Sequence, residues 1–185
     1  MVLGLAVAAA VVVGTVLGGR LSDLADFRLR AAWLVVVAIA MQAVAFPSGV
    51  LPWHTADAAA TLLWVASYGF LVAATVANLH IRGMDFVTVG MGFNLTAILA
   101  NGGHMPALPA AAARAGLAEG IDNNSQTLAH PHLALLVDRW AAPDWIPMGN
   151  VFSIGDVLLA IGAFAIVLPA MNAGFRLPRR QRLHA

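Results

Sequence analysis

Polar side chains are scarce within the apolar stretches of this chain, so the few found there are the first candidates for chemistry. Asp156 is the only charged residue inside any of them. An ionisable group in such a place is costly and by default marks a functional site. Ser153-Ile154-Gly155-Asp156 also fits a capping box, with Ser153 as N-cap and Asp156 three residues on, where its carboxylate complements the helix dipole. A cap alone and a cap with a binding or catalytic role both stay open. Asn94 and Asn101 lie seven residues apart, so on a helix they share one face, with Asn94 roughly 10 Å below the end. A buried amide needs a partner, either as glue between helices or as part of one polar pocket with Asp156. Asn101-Gly102-Gly103-His104-Met105-Pro106 reads as a helix stop and turn. Its adjacent glycines could also expose backbone N–H groups as an anion nest.

Other chemistry is thinly supported. His104, His130 and His132, with Asp122 and Asp138, are the only assembly that suits a metal, but no pair has helical i, i+4 spacing and Pro131 intervenes. No metal site is expected, and no catalytic residue or cofactor is assigned. With no cysteine there is no disulfide, thiolate site or thiol nucleophile.

The elements that must position these residues are five apolar stretches, at about Val2–Gly18, Ala31–Phe46, Ala58–Ala77, Phe86–Ala100 and Ile154–Met171. A composition 61% hydrophobic and 10% charged is poorly suited to a water-soluble fold. A bilayer core of about 30 Å needs roughly 17–25 helical residues, which four stretches reach or nearly reach. Eight of the ten arginines fall in alternate connections: Arg20, Arg28 and Arg30, then Arg82, then Arg176, Arg179, Arg180 and Arg182. Cytoplasmic loops retain such residues, which predicts the N-terminus outside and the C-terminus inside. The first stretch lacks a basic n-region and is expected to be a retained span.

The expected fold is therefore all-α: one polytopic membrane domain over residues 1–185, with five transmembrane helices. Residues 101–150 form an extracytoplasmic segment between spans four and five. Within it, Pro109 to Gly116 predicts a helix of about two turns. Leu133, Leu136, Val137 and Trp140 repeat at helical spacing and predict a short amphipathic helix. Trp53 and Trp145 suit the membrane surface. Ala6, Ala10, Gly14 and Gly18, and again Gly69, Ala73 and Ala77, make small-residue faces for packing or for partner subunits.

At these motifs the chain resembles a bacterial family of small membrane proteins known only as a domain of unknown function, number five-three-one-seven. The resemblance rests on Met91–Leu95, on Asn101-Gly102-Gly103-x-Met105-Pro106, on Ala115–Leu117 and on Val151-Phe152-Ser153-Ile154-Gly155-Asp156. Gly18-Gly19-Arg20-Leu21 extends it over most of the chain. The stretch Asp122–Asp144 departs from it, where a shorter, more aliphatic linker is expected. The resemblance implies a multi-pass protein of the bacterial inner membrane and carries no known activity. It groups Asn94, Asn101, Gly102, Gly103, His104, Ser153 and Asp156 as one ligand-binding set.

Three functions are compatible. The first is binding of a small polar ligand or lipid headgroup at the outer leaflet. The second is an accessory or assembly subunit of a larger membrane complex, and the third a membrane enzyme using Asp156 as base with His104. Membrane lipids are the expected partners, with no role for nucleic acid. The arginine pattern makes a direct prediction. A reporter active only outside the cytoplasm should be silent when fused after Arg182 and active when inserted near Gly120; topology mapping with both fusions checks this.

Overall fold

The computed structural model describes residues 2–46, 55–117, 121–122, 125–143 and 151–172. The C-terminal arginines, Trp53 and Trp145 lie outside these residues. The chain is mostly helical: α1 (Val2–Val16), α2 (Ala32–Ala45), α3 (Asp57–Ala77), α4 (Met84–Ala100), the short α5 (Pro109–Arg114) and α6 (Ile154–Ala170). Among the described residues α3 alone is long and apolar enough to cross a membrane, and the other four long helices are shorter apolar segments. Large apolar side chains face outward on all five, including Val12, Val36, Ile39, Leu62, Leu99 and Ile161.

The helices stand in a row in the order α2, α3, α4, α6, α1. Backbone contacts gather the first connection, the α3–α4 turn and the end of α6 at one end of the row. There the Arg20 N–H donates to Met171 O at 3.0 Å, and the Arg30 N–H donates to Asn78 Oδ1 at 2.8 Å. The connections that carry Arg20, Arg28, Arg30 and Arg82 thus share that end, the basic end. The segment after α4 covers the opposite end.

Helix ends follow local chemistry. α1, α4 and α5 close alike, with Gly18, Gly102 and Gly116 at φ +83°, +75° and +67°. In each, the next residue's N–H bonds five residues back, as Gly103 does to Ile98 O at 2.9 Å. The Asn101–Gly102 stop and the Pro109 helix start form as the sequence predicts.

Close helix approach is concentrated between α4 and α6. An added Cβ on Gly90 would lie 2.6 Å from Gly155 O, and one on Gly162 would lie 2.5 Å from Val87 Cγ2 and 2.9 Å from Gly83 O. These glycines recur at seven-residue spacing, Gly83 and Gly90 on one side, Gly155 and Gly162 on the other. The small-residue face of the first stretch packs as expected at Ala6, Ala10 and Gly14, the last against Met171 and Leu168. Its Gly18 is instead part of the turn. The corresponding face of the third stretch is not packed: Gly69 has no neighbour within 4 Å of an added Cβ, and Ala73 is exposed.

The segment between α4 and α6 differs from the helical segment expected. Besides α5 it contains short strands: β1 (Met105–Ala107), β2 (Ile121–Asp122), β3 (Ser125–Thr127), β4 (Trp140–Ala141) and β5 (Val151–Phe152). β1 pairs with β3 in parallel, β2 with β3 antiparallel, and β4 with β5 antiparallel. No amphipathic helix forms over 133–140. Leu133 sits at φ +55°, a strained position for a branched side chain, and ends any helical run there. Asp138 is extended, its N–H donating to Pro106 O and its carbonyl accepting from the Leu108 N–H, both at 2.9 Å. Those long-range bonds compete directly with the local helical ones.

The α4–α6 contact generates a stability prediction. Gly162→Leu should lower the unfolding temperature in detergent strongly, since overpacking costs about 1–3 kcal/mol or more where backbone blocks relaxation. Gly69→Leu should leave it unchanged, because that face is open.

Candidate functional site

Asn94 is 4% exposed and lies on α4 against the first turn of α6. Its side chain approaches so closely that a Cβ on Gly155 would overlap Asn94 Oδ1. Only glycine fits there. The Ser153 hydroxyl lies 2.9 Å from Asn94 Oδ1, and Asn94 Nδ2 donates to Asp156 Oδ1 at 3.3 Å. The capping box is complete: the Ser153 N–H donates to Asp156 Oδ2 at 2.9 Å, and Ser153 Oγ accepts from the Asp156 N–H at 3.2 Å. Ser153 has a single hydroxyl proton to give either to Asn94 Oδ1 or to Asp156 Oδ2 at 3.0 Å. Asn94, Ser153 and Asp156 are therefore one hydrogen-bonded unit, and the cap is part of it.

The other members of the expected pocket lie elsewhere. Asn101 holds the backbone of His132, accepting from its N–H at 2.8 Å and donating to its carbonyl at 3.0 Å, and also donates to Ala97 O at 2.8 Å. Its amide is thus fully used in tethering the covering segment. The Gly103 N–H is spent on closing α4, and Gly103 packs against Thr61, so these glycines do not form an open nest. Gly102 is exposed. His104 is half-buried, and among the described residues no hydrogen bond joins it to Asp156. His130 and His132 are exposed. The single shared pocket is replaced by two separate constructions on α4, one around Asn94 and one around Asn101.

Three residues not grouped with the site from sequence complete its surroundings. Asp138 is 7% exposed, and its Oδ1 has no hydrogen-bond partner among the described residues. Burial, reinforced by the Asp156 charge, pushes its carboxyl up to about 8. The Tyr68 phenol on α3 is within electrostatic reach of both carboxylates. One turn earlier on α3, Trp64 packs edge-on against Tyr68 at 4.9 Å and against Phe46 at 5.5 Å. Trp64 is buried, and its indole Nε1–H also has no partner. The available signal was Tyr68 itself, the only tyrosine in the chain, four residues after Trp64 on an apolar helix. Asp138 had no such signal, because its burial depends on strand-like pairing with the β1 region.

What the arrangement offers is an amide, a hydroxyl and a carboxylate bonded together where α4 meets α6, with a buried second carboxyl and a phenol within electrostatic reach. These features describe a helical protein with a polar centre built where α3, α4, α6 and the covering segment meet. The chain belongs to a family of unknown function (DUF5317), which matches residues 26–168. No curated protein and no solved structure matches it.

Asp138 makes stability depend on pH. A carboxyl raised to about 8 in the folded state holds its proton where the unfolded chain has lost it, so stability falls as pH rises from about 5 towards 8. The melting temperature in detergent, without added ligand, should fall over that range. Asp138→Asn should flatten the slope.

Proposed function

We propose that the chain is a multi-pass membrane protein whose five apolar helices cross the bilayer, with the basic end in the cytoplasm and residues 101–150 outside. It binds a small polar ligand or lipid headgroup at the outer leaflet. The setting is a bacterial inner membrane. The apolar outward faces of all five long helices support the membrane reading, since lipid is the medium that accepts them. The shorter helices suit it as well, because 17 residues of α4 or α6 already reach about 25 Å. The observation that carries ligand binding is the buried Asp138 Oδ1, which has no hydrogen-bond partner among the described residues, on a carboxyl within electrostatic reach of Asp156. Buried polar atoms normally find partners, and a bound ligand would supply the one this oxygen lacks.

A second reading, an accessory subunit of a larger complex, is favoured by the open Gly69–Ala73 face of α3, which none of the described helices covers. In a bilayer such a flat face suits another helix.

Purification in mild detergent followed by mass spectrometry of everything retained separates the two. The binding reading expects a stoichiometric small molecule or lipid on the parent protein. Asp156→Asn should lose it while remaining monodisperse, because the changed cap costs only about 1 kcal/mol. Stoichiometric partner proteins without any retained small molecule would replace this reading with the subunit one.

A further inference from the structure

We propose that residues 129–137 are a lid, hinged on β1 and latched by Asn101, whose opening lets a small polar molecule in from the aqueous side. For what is admitted, this rests on the ligand-binding reading. The lid itself stands on geometry of its own.

Both ends of the segment are pinned to one strand. The Leu128 N–H donates to Ala107 O at 3.0 Å and the Asp138 N–H to Pro106 O at 2.9 Å, two adjacent residues of β1. β1 is held in turn by its parallel pairing with β3, and the Leu108 N–H donates to Asp138 O at 2.9 Å. The nine residues in between leave and rejoin the covering segment at one place, the geometry of an Ω-loop. Such a loop can lift while its frame stays paired. Among the described residues, its only hydrogen bonds to the rest of the protein are those between His132 and the Asn101 amide, at 2.8 and 3.0 Å.

That latch has a twin at the basic end. Asn78, just after α3, grips Arg30 in the same way. Its Nδ2 donates to Ala74 O at 2.7 Å and to Arg30 O at 2.8 Å, and its Oδ1 accepts from the Arg30 N–H at 2.8 Å. Asn101, just after α4, repeats each of these bonds with Ala97 and His132. Their settings differ. Asn78 is 2% exposed, so water has little access to its bonds. The bonds from Asn101 to His132 are exposed, as are His132, Leu133, Ala134 and Leu135. There water can replace the protein partner at small net cost. One arrangement thus serves as a permanent clasp at one end and as a releasable one at the other. Beside the latch, Leu133 is held at φ +55°, a left-handed conformation that costs a branched side chain energy. Opening releases that strain.

The inner side of the lid gives opening its purpose. Leu136 packs against the buried cluster of Trp64, Ala97, Ile98 and Met105, and Val137 is fully buried. Within that cluster the Trp64 Nε1–H has no acceptor among the described residues. Asp138, whose Oδ1 also lacks a partner, follows directly at the second hinge. Both are buried while the lid is closed. Lifting residues 129–137 withdraws Leu136 from the cluster and opens a way in from the covering segment.

The test uses the full chain in phosphatidylcholine nanodiscs. Because the chain has no cysteine, one introduced thiol reports alone. Val137→Cys places it on the buried side of the lid, and Ala111→Cys places it on α5, buried outside the lid. A charged thiol reagent that does not cross the bilayer should modify the first at least about tenfold faster than the second, since local opening precedes wider unfolding. Adding Asn101→Ala should raise the rate at position 137 by about tenfold, the effect of losing two modest hydrogen bonds, and leave position 111 unchanged. Hydrogen exchange on the unaltered chain needs no variant. The His132 and Leu136 amides should exchange at least about tenfold faster than those of Leu128 and Asp138. Equal exchange of all four amides, equal reactivity at 137 and 111, or a rate at 137 indifferent to Asn101→Ala overturns the lid. The two readings fail separately. A small molecule retained by the parent and lost in Asp156→Asn, on a protein whose positions 137 and 111 react alike, removes the lid and keeps ligand binding. No retained molecule removes ligand binding, and the labelling rates alone then decide the lid.

Discussion

The close approach of α4 and α6 is the constraint on which the site depends. Without side chains at Gly83, Gly90, Gly155 and Gly162 the two backbones come near enough for Asn94 to meet the first turn of α6. At ordinary helix separation the Asn94 amide would fall short of Ser153 and Asp156, leaving buried polar groups without partners. The packing and the polar chemistry are thus one device. Dispersion along the seam holds the helices, and the amide at its end fixes their register.

Fixed in this way, the N-terminus of α6 sits level with Asn94, about two turns below the end of α4. The segment leading into α6 must therefore descend between the helices, and it does so as β5 paired with β4, with Phe152 stacked on Trp140. Descent explains how a residue of a connecting segment, Asp138, becomes as buried as a core side chain. It also explains why Asn101 is unavailable to Asp156. About two turns higher on α4 than Asn94, it grips the same covering segment from above.

Much of this was legible in the residues where the governing interaction is local. Ser153 and Asp156 signal their capping box because the reciprocal bonds span three residues. Gly102 and Gly116 signal their helix ends because the left-handed conformation belongs to the residue itself. The five apolar stretches became the five long helices, with ends displaced by only a residue or two at most positions. Legibility failed where distant segments decide. Leu133, Leu136, Val137 and Trp140 carry a helical period, yet bonds from Asp138 to Pro106 and Leu108 impose an extended course. Strands of two or three residues hold too few side chains to display a period of their own. Two small-residue faces looked equivalent at four-residue spacing, but among the described residues only that of α1 has a neighbour. Which face is covered depends on helix order, and that is not written in either helix.

That order also bears on how the protein is made. Within the row α1 is synthesised before the other helices, and its packing neighbour is α6, which emerges after them. At translation rates of about 5–20 residues per second, the face formed by Ala6, Ala10 and Gly14 waits on the order of ten seconds for Leu168 and Met171. Meanwhile α2, α3 and α4 pair with successive neighbours as they emerge. α1 is therefore without this neighbour until α6 emerges. Its final docking, which also joins Arg20 to Met171, closes the longest loop in the chain. Assembly of this row ends with the helix of the row that was made first.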